Sequence, residues 1–333
     1  MNMHAAVLQR QGVITLETLP VPEPAAGQVQ VKVEAVGICG SDVHYYEHGR
    51  IGPYVVDHPL VLGHELSGTI TAAGPGVDPA RVGQRVAVEP QAPCRTCAQC
   101  KAGRYNLCPE IKFFATPPVD GAFTEYVVVP ADFAFELPGS ISFEAGALIE
   151  PLSVGLWACQ KAGITAGSRV LIAGAGPIGV ITAQVARALG ASEVVISDLN
   201  AQRLQFALEH GATRVLDAGG HPLEADAFID ASGAEPAIRA GIMHVAPAGR
   251  VVLVGMGADE ITLPVSWIQN RELVLTGVFR YANTWPAAIS LLQRGLVDMD
   301  ALVTGKFTLA EAEAALAAGR EPGAMKAVLY PGR

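Results

Sequence analysis

The sequence predicts a two-domain α/β protein, in which a β-rich, partly barrel-like domain is followed by a doubly wound parallel sheet. Three observations support this prediction. The 333 residues exceed what one hydrophobic core usually serves. The first 150 residues carry short alternating strands separated by turns, such as QVQVKVEAVG and AFTEYVVVP. From about residue 169 onwards, apolar strands alternate with helical segments, which is typical of a parallel sheet with crossover helices.

The change of pattern indicates where the domains meet. We expect residues 1–151 to form the β-rich domain and residues 152–278 to form the parallel-sheet domain. Residues 279–333 return to helical segments and end in an apolar strand, KAVLY. This last stretch is expected to complete the first domain, which would then be discontinuous.

Composition narrows the class of protein. The formal net charge is −9, and an acidic chain without a basic cluster is a poor partner for nucleic acid. The N-terminal residues lack the charged-then-apolar pattern of a signal peptide. The longest uncharged stretch, residues 170–186, is interrupted by glycines and a proline, so we expect no membrane span. A cytoplasmic location follows as the expectation, and thiols stay reduced there.

Four of the six cysteines lie within fifteen positions, at Cys94, Cys97, Cys100 and Cys108. Reducing conditions disfavour disulfides, and four closely spaced thiolates can close a tetrahedral Zn²⁺ site. Because protein fills all four positions, we expect a structural zinc; the alternative is four unligated thiols. Cys159, in a helical apolar stretch, is expected to be a buried apolar residue.

A second set of metal ligands is spread along the first domain. Cys39 lies in a glycine-rich turn after a strand, and His64 with Glu65 follows in GHE. Three protein ligands with an open position are the catalytic zinc arrangement. Glu150, within GALIEPLSVG, has three readings besides exposure at a domain boundary: metal ligand, hydrogen-bond partner of a metal-bound water, or holder of a substrate hydroxyl.

A dinucleotide fingerprint opens the second domain. The strand at residues 169–173 leads directly into Gly174-x-Gly176-x-x-Gly179 and then a helix. The first glycine permits the tight turn, the second lets a pyrophosphate approach the backbone, and the third lets helix and strand pack closely. The helix N-terminus then presents unpaired N–H groups to the phosphates.

An acid ends the next strand, as the fingerprint requires. Asp198 lies nineteen residues after Gly179 and can accept hydrogen bonds from the ribose hydroxyls of NAD, while it would repel a 2′-phosphate. Arg203 could stack on the adenine, contact the ribose or be solvated. His210, His221 and His244 lack ligand-type neighbours and are expected to be structural or solvated.

With these motifs, the sequence resembles the zinc-dependent medium-chain dehydrogenases over nearly its whole length, and within them the sorbitol (L-iditol) and xylitol dehydrogenase branch. The resemblance rests on GICGSDVHYYEHGRIG, GALIEPLSVG, GAGPIG and GVFRYANTWPAAISLL. The last string is the most specific, because the wider superfamily lacks it. The resemblance implies a GroES-like catalytic domain, a Rossmann domain and NAD-dependent oxidation of a polyol to the ketose.

The resemblance also implies residue roles. Cys39, His64 and Glu65 would hold the catalytic zinc, with Glu150 beside it, and the four other cysteines a structural zinc, giving two zinc ions per chain. The polyol pocket would be lined by Tyr45, Phe113, Glu150, Arg280 and Tyr281. NAD would be contacted by Gly174, Gly176, Pro177, Ile178, Gly179, Asp198, Arg203, Val254, Gly255, Met256, Val278, Phe279 and Arg280.

The proton released by the alcohol must leave the site. Ser41 and His44, just after Cys39, are candidates for that relay, although His44 could equally be a surface residue. The family also suggests a homotetramer, in which a sheet continuing between subunits would use the apolar strand near Val251 to Val254.

Two alternatives remain. The first is a zinc dehydrogenase for another secondary alcohol, of the butanediol or threonine type, against which FRYANTWP argues. The second is a non-catalytic NAD-binding sensor on the same fold. A sensor has no need of an open metal site, so the retained Cys39, His64 and Glu65 argue against it.

Overall fold

The computed structural model describes residues 1–217 and 224–332 and divides the chain into two compact units. The first unit contains Met1–Glu150 and the chain from Met299 onwards, and the second contains Pro151–Asp298. His221 lies outside the described residues. Among the described helices, none is long and apolar enough to cross a membrane.

In chain order, the described strands are β1 Asn2–Arg10, β2 Val13–Pro20, β3 Gln28–Gly37, β4 Arg50–Ile51, β5 Tyr54–Val55, β6 Leu60–Val61, β7 Glu65–Ala73, β8 Arg85–Val88, β9 Gln91–Ala92, β10 Lys112–Phe113, β11 Tyr126–Pro130, β12 Ala134–Glu136, β13 Arg169–Ala173, β14 Glu193–Ser197, β15 Arg214–Leu216, β16 Ala225–Asp230, β17 Val245–Leu253, β18 Val274–Gly277, β19 Val303–Thr308 and β20 Lys326–Tyr330. The α-helices are α1 Gly40–His48, α2 Ala98–Lys101, α3 Phe143–Ala147, α4 Ile149–Ala162, α5 Pro177–Ala188, α6 Ala201–Glu209, α7 Glu235–Met243, α8 Val265–Asn270, α9 Trp285–Gln293 and α10 Ala312–Ala318. Short 3-10 turns lie at Pro79–Arg81, Tyr105–Leu107, Ala131–Phe133, Asp300–Leu302 and Leu309–Glu311.

The first unit is built on a seven-stranded sheet with the order β12-β8-β7-β3-β20-β19, and β11 pairs with β3. Alternation in the sequence explains β3: Val29, Val31 and Val33 are fully buried, and the residues between them are partly exposed. β20 runs antiparallel to β3 and parallel to β19, so the C-terminal strands complete this sheet. The unit is the predicted β-rich, GroES-like domain.

The second unit is a six-stranded parallel sheet with the order β15-β14-β13-β16-β17-β18. The strand order reverses direction between β13 and β16, which is the point where doubly wound sheets bind their ligands. After Arg169, β13 is a continuous apolar run, VLIA, as is usual where helices cover both faces of a parallel sheet. This is the predicted Rossmann architecture.

The second domain boundary differs from the predicted one. Residues 279–298, which the sequence pattern assigned to the first domain, belong to the second unit. The side-chain amide of Gln184, on α5, accepts the backbone N–H of Asp298 at 2.6 Å and donates to its carbonyl at 3.2 Å. These two bonds fasten the end of the segment to α5, and sequence periodicity carries no sign of them.

The apolar strand near Val251 to Val254 is not at the sheet edge, contrary to the expectation for a sheet continued by a second subunit. β17 pairs with β16 on one side and β18 on the other. Edge and interior strands of a parallel sheet can carry the same apolar run, so the sequence alone could not show which of the two β17 is. The edge strand on this side of the described sheet is β18, whose Val274 and Leu275 are 46% and 37% exposed.

Candidate active site and metal centres

The four closely spaced cysteines converge on one point. The sulfurs of Cys94, Cys97, Cys100 and Cys108 all lie within 4.8 Å of one another, and none forms a disulfide. Backbone N–H groups point at the sulfurs, as from Cys97 to Cys94 Sγ at 3.4 Å. Hydrogen bonds from Thr96 lower the pKa of Cys94 to about 6, whereas burial raises the pKa of Cys100 to about 12, so the close thiols do not ionise together without a cation among them. The donor set and its spacing fit a closed tetrahedral zinc site.

A second convergence brings Cys39, His64 and Glu65 together, and one potential ligand atom from each lies within 4.8 Å of the others. Cys39 immediately precedes α1, and Glu65 begins β7. The pairing of β3 with β7 sets Gly37 opposite Glu65, so the turn after β3 delivers Cys39 beside the two other ligands. Sulfur, imidazole and carboxylate are all zinc ligands, and three of them leave a coordination position open.

Asp42 is a buried carboxylate behind this set, which the sequence interpretation missed. It is fully buried and accepts the backbone N–H groups of Cys39 and Gly63, both at 2.9 Å. Its Oδ1 lies 3.8 Å from Nδ1 of His64. Burial raises the pKa of Asp42, although His64 and the two N–H groups favour the charged form. Asp42 thus fixes the backbone at Cys39 and at Gly63, the residue before His64, and faces Nδ1 of His64.

Lys326 is the second missed residue. It lies on β20, is only 4% exposed, and donates to the carbonyl of Ile38 at 2.5 Å and to Glu65 Oε1 at 2.6 Å. Burial alone would lower the pKa of Lys326, but the charges of Glu65 and Cys39 raise it, so the amine is charged. A lysine at the start of an otherwise apolar strand was the available sequence signal.

The charges within the set show that it fits a metal. Oε2 is buried and accepts no hydrogen bond, although Lys326 Nζ lies 2.6 Å from it. Burial would lower the pKa of His64, yet the charges of Cys39 and Asp42 raise it to about 10. A sulfur, an imidazole and a buried carboxylate whose combined negative charge already favours a proton on His64 form a donor set that suits a metal ion.

The other predicted residues of the first unit lie around this set at different depths. Glu150 is buried in the first turn of α4, and its charge contributes to the raised pKa of His64. Ser41 is partly buried, whereas His44 is exposed on α1 with its ring 4.5 Å from that of His48. Tyr45, on the same helix, is 3% exposed and packs into the core of the unit.

Phe113 connects the site to a network that the sequence interpretation also missed. Its ring lies 5.3 Å from the ring of His64, centroid to centroid. Phe113 pairs with Gln91 across β9 and β10, and the Gln91 side chain donates to Glu89 Oε1 at 2.6 Å. Burial raises the pKa of Glu89 to about 7. Tyr105, between Cys100 and Cys108, donates to the same oxygen at 2.9 Å.

In the second unit, the glycine fingerprint has the predicted geometry. Gly174 has a φ of +98°, and a Cβ on Gly179 would lie 1.8 Å from the Gly174 carbonyl oxygen. No atom lies within 4 Å of a Cβ placed on Gly176, which leaves open space beside the start of α5. Asp198 accepts the backbone N–H of Ala175 at 2.6 Å, so the acid is attached to the glycine turn.

The remaining predicted cofactor residues collect at the same edge of the sheet. Pro177 and Ile178 open α5 after β13, and Arg203 lies in the first turn of α6 after β14. The other two groups follow the carboxyl ends of two neighbouring strands: Val254, Gly255 and Met256 follow β17, and Val278, Phe279 and Arg280 follow β18. The carboxyl ends of parallel strands form the ligand-binding side of such a sheet.

Arg280 and Tyr281 lie in a strained turn. Arg280 has a φ of +54°, and its guanidinium lies 4.8 Å from the centroid of the Phe279 ring. The Tyr281 side chain is fully buried, with its ring edge-on to Trp285 at 6.3 Å. The burial gives Tyr281 a packing role that its assignment to the polyol pocket did not anticipate.

Comparisons with known proteins agree with this geometry. Residues 25–139 match the alcohol dehydrogenase GroES-like domain, and residues 177–294 match the zinc-binding dehydrogenase domain. The chain is 46% identical to the sorbitol dehydrogenase of Homo sapiens, over 93% of this chain and 91% of that protein. It is 42% identical to the sorbitol dehydrogenase of Bacillus subtilis, over 100% and 98% of the two chains. The solved structure of an alcohol dehydrogenase from Escherichia coli CFT073, complexed with NADH, is 30% identical, with a TM-score of 0.93 and 99% of each chain covered. With its two matched domains, the ligand set in the first unit and the glycine turn in the second, the chain belongs to the zinc-dependent medium-chain dehydrogenases.

Proposed function

We propose that this chain is an NAD-dependent polyol dehydrogenase, which oxidises a secondary hydroxyl of a sugar alcohol to the ketone. The observation that carries the proposal is the convergence of the partly buried Cys39 with the buried His64 and Glu65 on one point. The similarity to sorbitol dehydrogenases supports the choice of a polyol as the substrate class. One catalytic and one structural zinc per chain are part of the proposal.

The charges of the ligands suit this chemistry. A bound Zn²⁺ supplies a Lewis acid that lowers the pKa of a substrate hydroxyl, and bound NAD supplies the hydride acceptor. Cys39 and Glu65 contribute one negative charge each and so balance the charge of the ion. A direct third negative ligand would leave an excess charge and weaken the Lewis acid. Glu150 is therefore assigned to a hydrogen bond with water or with the substrate rather than to direct ligation.

The proton of the substrate hydroxyl requires a path to solvent. Ser41 is partly buried next to Cys39, and His44 is exposed one turn further along α1. Ser41 is assigned to accept the proton and His44 to pass it to solvent. The exposure of His44 supports this role, because a terminal carrier must reach water.

The turn that carries Asp198 favours NAD as the cofactor. The Asp198 carboxylate is held by the N–H groups of Ala175 and Asn200, at 2.6 Å and 2.8 Å. Fixed there, it can accept the ribose hydroxyls and repels a 2′-phosphate. Arg203 is assigned to the adenosine half of the cofactor, and the residues after β17 and β18 to the nicotinamide half.

Specificity for polyols is assigned to side chains that would lie next to the hydroxyl groups of the substrate. Arg280 offers five N–H donors in a fixed fork. Tyr45 and Phe113, which are 3% and 5% exposed, are assigned as buried apolar support for the polyol site. Tyr281 is assigned a supporting role, since its buried ring holds the strained turn that presents Arg280. Arg280→Ala would leave several substrate hydroxyls without a partner and should reduce the selectivity for polyols over simple alcohols.

A homotetramer is also proposed. Among the described strands of the second unit, β18 pairs on one side only, and its Val274 and Leu275 are partly exposed. An exposed apolar edge is a natural place for the sheet of a second copy. Light scattering coupled to size exclusion, on the protein and on Leu275→Lys, tests this assignment; an unchanged mass for the variant would oppose the use of β18.

The experiment that tests the function combines metal content with a substrate panel. The zinc-loaded protein should reduce NAD⁺ with four- to six-carbon polyols, and the Cys39→Ser variant should lose both the activity and one of two zinc ions. Butanediol, threonine and ethanol serve as the comparison substrates. Equal kcat/KM for butanediol and for xylitol would oppose the polyol assignment. Full polyol oxidation by metal-stripped protein would oppose the zinc assignment.

A further inference from the structure

The four-cysteine segment, residues 94–108 (the cysteine lobe), reaches beyond its own metal site. Within it, Tyr105 opens a 3-10 turn that ends just before Cys108. The Tyr105 hydroxyl donates to Glu89 Oε1 at 2.9 Å, and the Tyr105 ring lies edge-on to Phe133 at 5.7 Å. The lobe thus places a hydroxyl donor on a carboxylate that lies outside it.

Glu89 is buried at the end of β8, with 1% of its surface exposed. Its Oε1 accepts two hydrogen bonds, one from Tyr105 and one from the Gln91 side chain at 2.6 Å. Its backbone is also held, because Glu89 N–H donates to the Phe133 carbonyl at 2.9 Å. A buried carboxylate depends on such donors, so the loss of one changes where the carboxylate lies.

The backbone that follows Glu89 carries this constraint to Phe113. Gln91 and Phe113 are partners in the two-stranded pairing of β9 with β10. The next residue, Phe114, donates its N–H to the Pro90 carbonyl at 3.0 Å. Phe113 is therefore fixed by the two residues directly after Glu89, and its buried ring lies against His64.

The lobe has little regular structure that could hold Tyr105 without its metal. Its only described α-helix is α2, a single turn of four residues. The convergence of the four sulfurs therefore constrains the segment that carries Tyr105. A continuous set of contacts therefore links the four-sulfur site to the position of Phe113 against His64.

We propose that Tyr105 is a positioning residue through which the cysteine lobe fixes Phe113 against His64, so that the four-sulfur site supports substrate binding at the other metal centre. The inference rests on the proposed function, in which Phe113 borders the polyol. The Phe113 ring lies against an assigned ligand, so its displacement weakens polyol binding and uncovers His64. Hydride transfer itself does not use Tyr105.

The test is Tyr105→Phe, which keeps the ring against Phe133 and removes only the hydroxyl. We expect the KM for the polyol to rise about tenfold, with kcat within about twofold of the parent, as for a lost hydrogen bond of about 1.4 kcal/mol. Tyr54→Phe, at a partly exposed position outside the network, is the matched control and should match the parent. Glu89→Gln keeps an oxygen that can accept both hydrogen bonds and should keep the KM near the parent value, whereas Glu89→Leu should raise it.

A second readout does not depend on the substrate. Release of zinc to a chromogenic chelator should be about tenfold faster from the Cys39 site of Tyr105→Phe than from that of the parent, because His64 is uncovered. This measurement retains its meaning even if the parent fails to oxidise polyols, an outcome that would oppose only the proposed function. Parental KM and parental zinc release in Tyr105→Phe would overturn the inference.

The link to the lobe is tested by a double-mutant cycle. Cys100→Ser opens the four-sulfur site, and adding Tyr105→Phe in that background should produce little further change in KM or zinc release. Fully additive effects would show that Tyr105 acts independently of the lobe and would overturn the proposal. If Cys100→Ser does not fold, mild extraction of the structural zinc from the folded parent and from Tyr105→Phe gives the same cycle.

Discussion

Replacing Lys326 by Met removes a lysine that is buried against the proposed catalytic ligands. Met has a similar length and apolar volume, so it fills the space without replacing the charge. The substitution leaves the Ile38 carbonyl and the Glu65 carboxylate without their donor, which now lies at 2.5 Å and 2.6 Å respectively. Glu65 is 1% exposed, so water does not readily take the place of the amine.

The expected cost follows from this burial. Removing one partner of a buried ion pair typically costs about 3–5 kcal/mol, because the other charge stays behind uncompensated. Zinc bound by Glu65 would compensate part of that charge. We therefore expect a loss of stability of about 3 kcal/mol with zinc and about 5 kcal/mol without it. By linkage, the folded Lys326→Met protein should then bind zinc up to about 2 kcal/mol more tightly, which is roughly thirtyfold.

Lys306→Met is the matched control. Lys306 also pairs with a glutamate, Glu144, at 3.3 Å, but its side chain is 61% exposed. Exposed pairs contribute about 0–1 kcal/mol. The difference between the two lysine variants should therefore be at least about 2 kcal/mol in the presence of zinc.

The assay must report on the first unit. All three tryptophans, Trp157, Trp267 and Trp285, lie in the second unit, so their fluorescence would follow the wrong part of the chain. Hydrogen exchange of the β3 and β20 amides, read by mass spectrometry, follows the correct part. A loss of about 3 kcal/mol should speed their slowest exchange roughly 100-fold. If Lys326→Met exchanges no faster than Lys306→Met, the pair is not energetically buried and the argument fails.

Three further outcomes are expected. Gly37→Ala would place a Cβ 2.2 Å from Glu65 Oε2, so this variant should lose the zinc of the Cys39 site. The control Gly139→Ala, whose Cβ enters open space, should retain that zinc. Metal analysis tests this, and equal zinc content in the two variants would refute it. The Cβ of Gly176→Ala meets no described atom within 4 Å, so this variant should keep the parental Tm. It should nevertheless bind NADH at least about tenfold more weakly in a fluorescence titration, because the added methyl group blocks the approach of the pyrophosphate. Gly179→Ala, with its Cβ 1.8 Å from a carbonyl oxygen, should also lower the Tm. Burial raises the pKa of Glu89 from 4.5 to about 7. Between these pH values the folded chain holds a proton on Glu89 that the unfolded chain has released. The resulting stabilisation is present below pH 4.5 and is lost as the pH rises through 7. Glu89→Gln should therefore remove a pH-dependent loss of about 3 kcal/mol in the first unit between pH 4.5 and 7, and parallel exchange profiles for parent and variant would contradict this.

Residues close together in sequence could be interpreted before the structure was known, and residues joined by tertiary pairing could not. The four cysteines lie within one short segment, and Gly174, Gly176 and Gly179 share one turn, so their spacing alone predicted their roles. Lys326 is separated from Ile38 by 288 positions and from Glu65 by 261. Only the antiparallel pairing of β20 with β3 brings it to the ligands.

The same limit explains Asp42, which is only three residues from Cys39. In the sequence, Asp42 fits an ordinary acid in the first turn of a helix, and it does occupy that position in α1. Its second partner, the Gly63 N–H, comes from the residue before His64, and this contact depends on the fold. The carboxylate therefore joins two ligand-bearing segments that no local pattern relates.

Charge shows why these two missed residues belong to the metal site. Among the described residues there, Cys39, Asp42, Glu65 and Glu150 are acids, and Lys326 is one permanent cation. In a buried setting such an excess of acids is unfavourable unless further positive charge is present. His64, whose pKa rises to about 10, meets part of that need by holding a proton. A divalent ion would meet it better, because the charges of Cys39 and Glu65 balance the ion, while Lys326 also pairs with the Glu65 carboxylate at 2.6 Å. The buried lysine and the buried aspartate are thus parts of one charge arrangement that favours a cation between Cys39, His64 and Glu65.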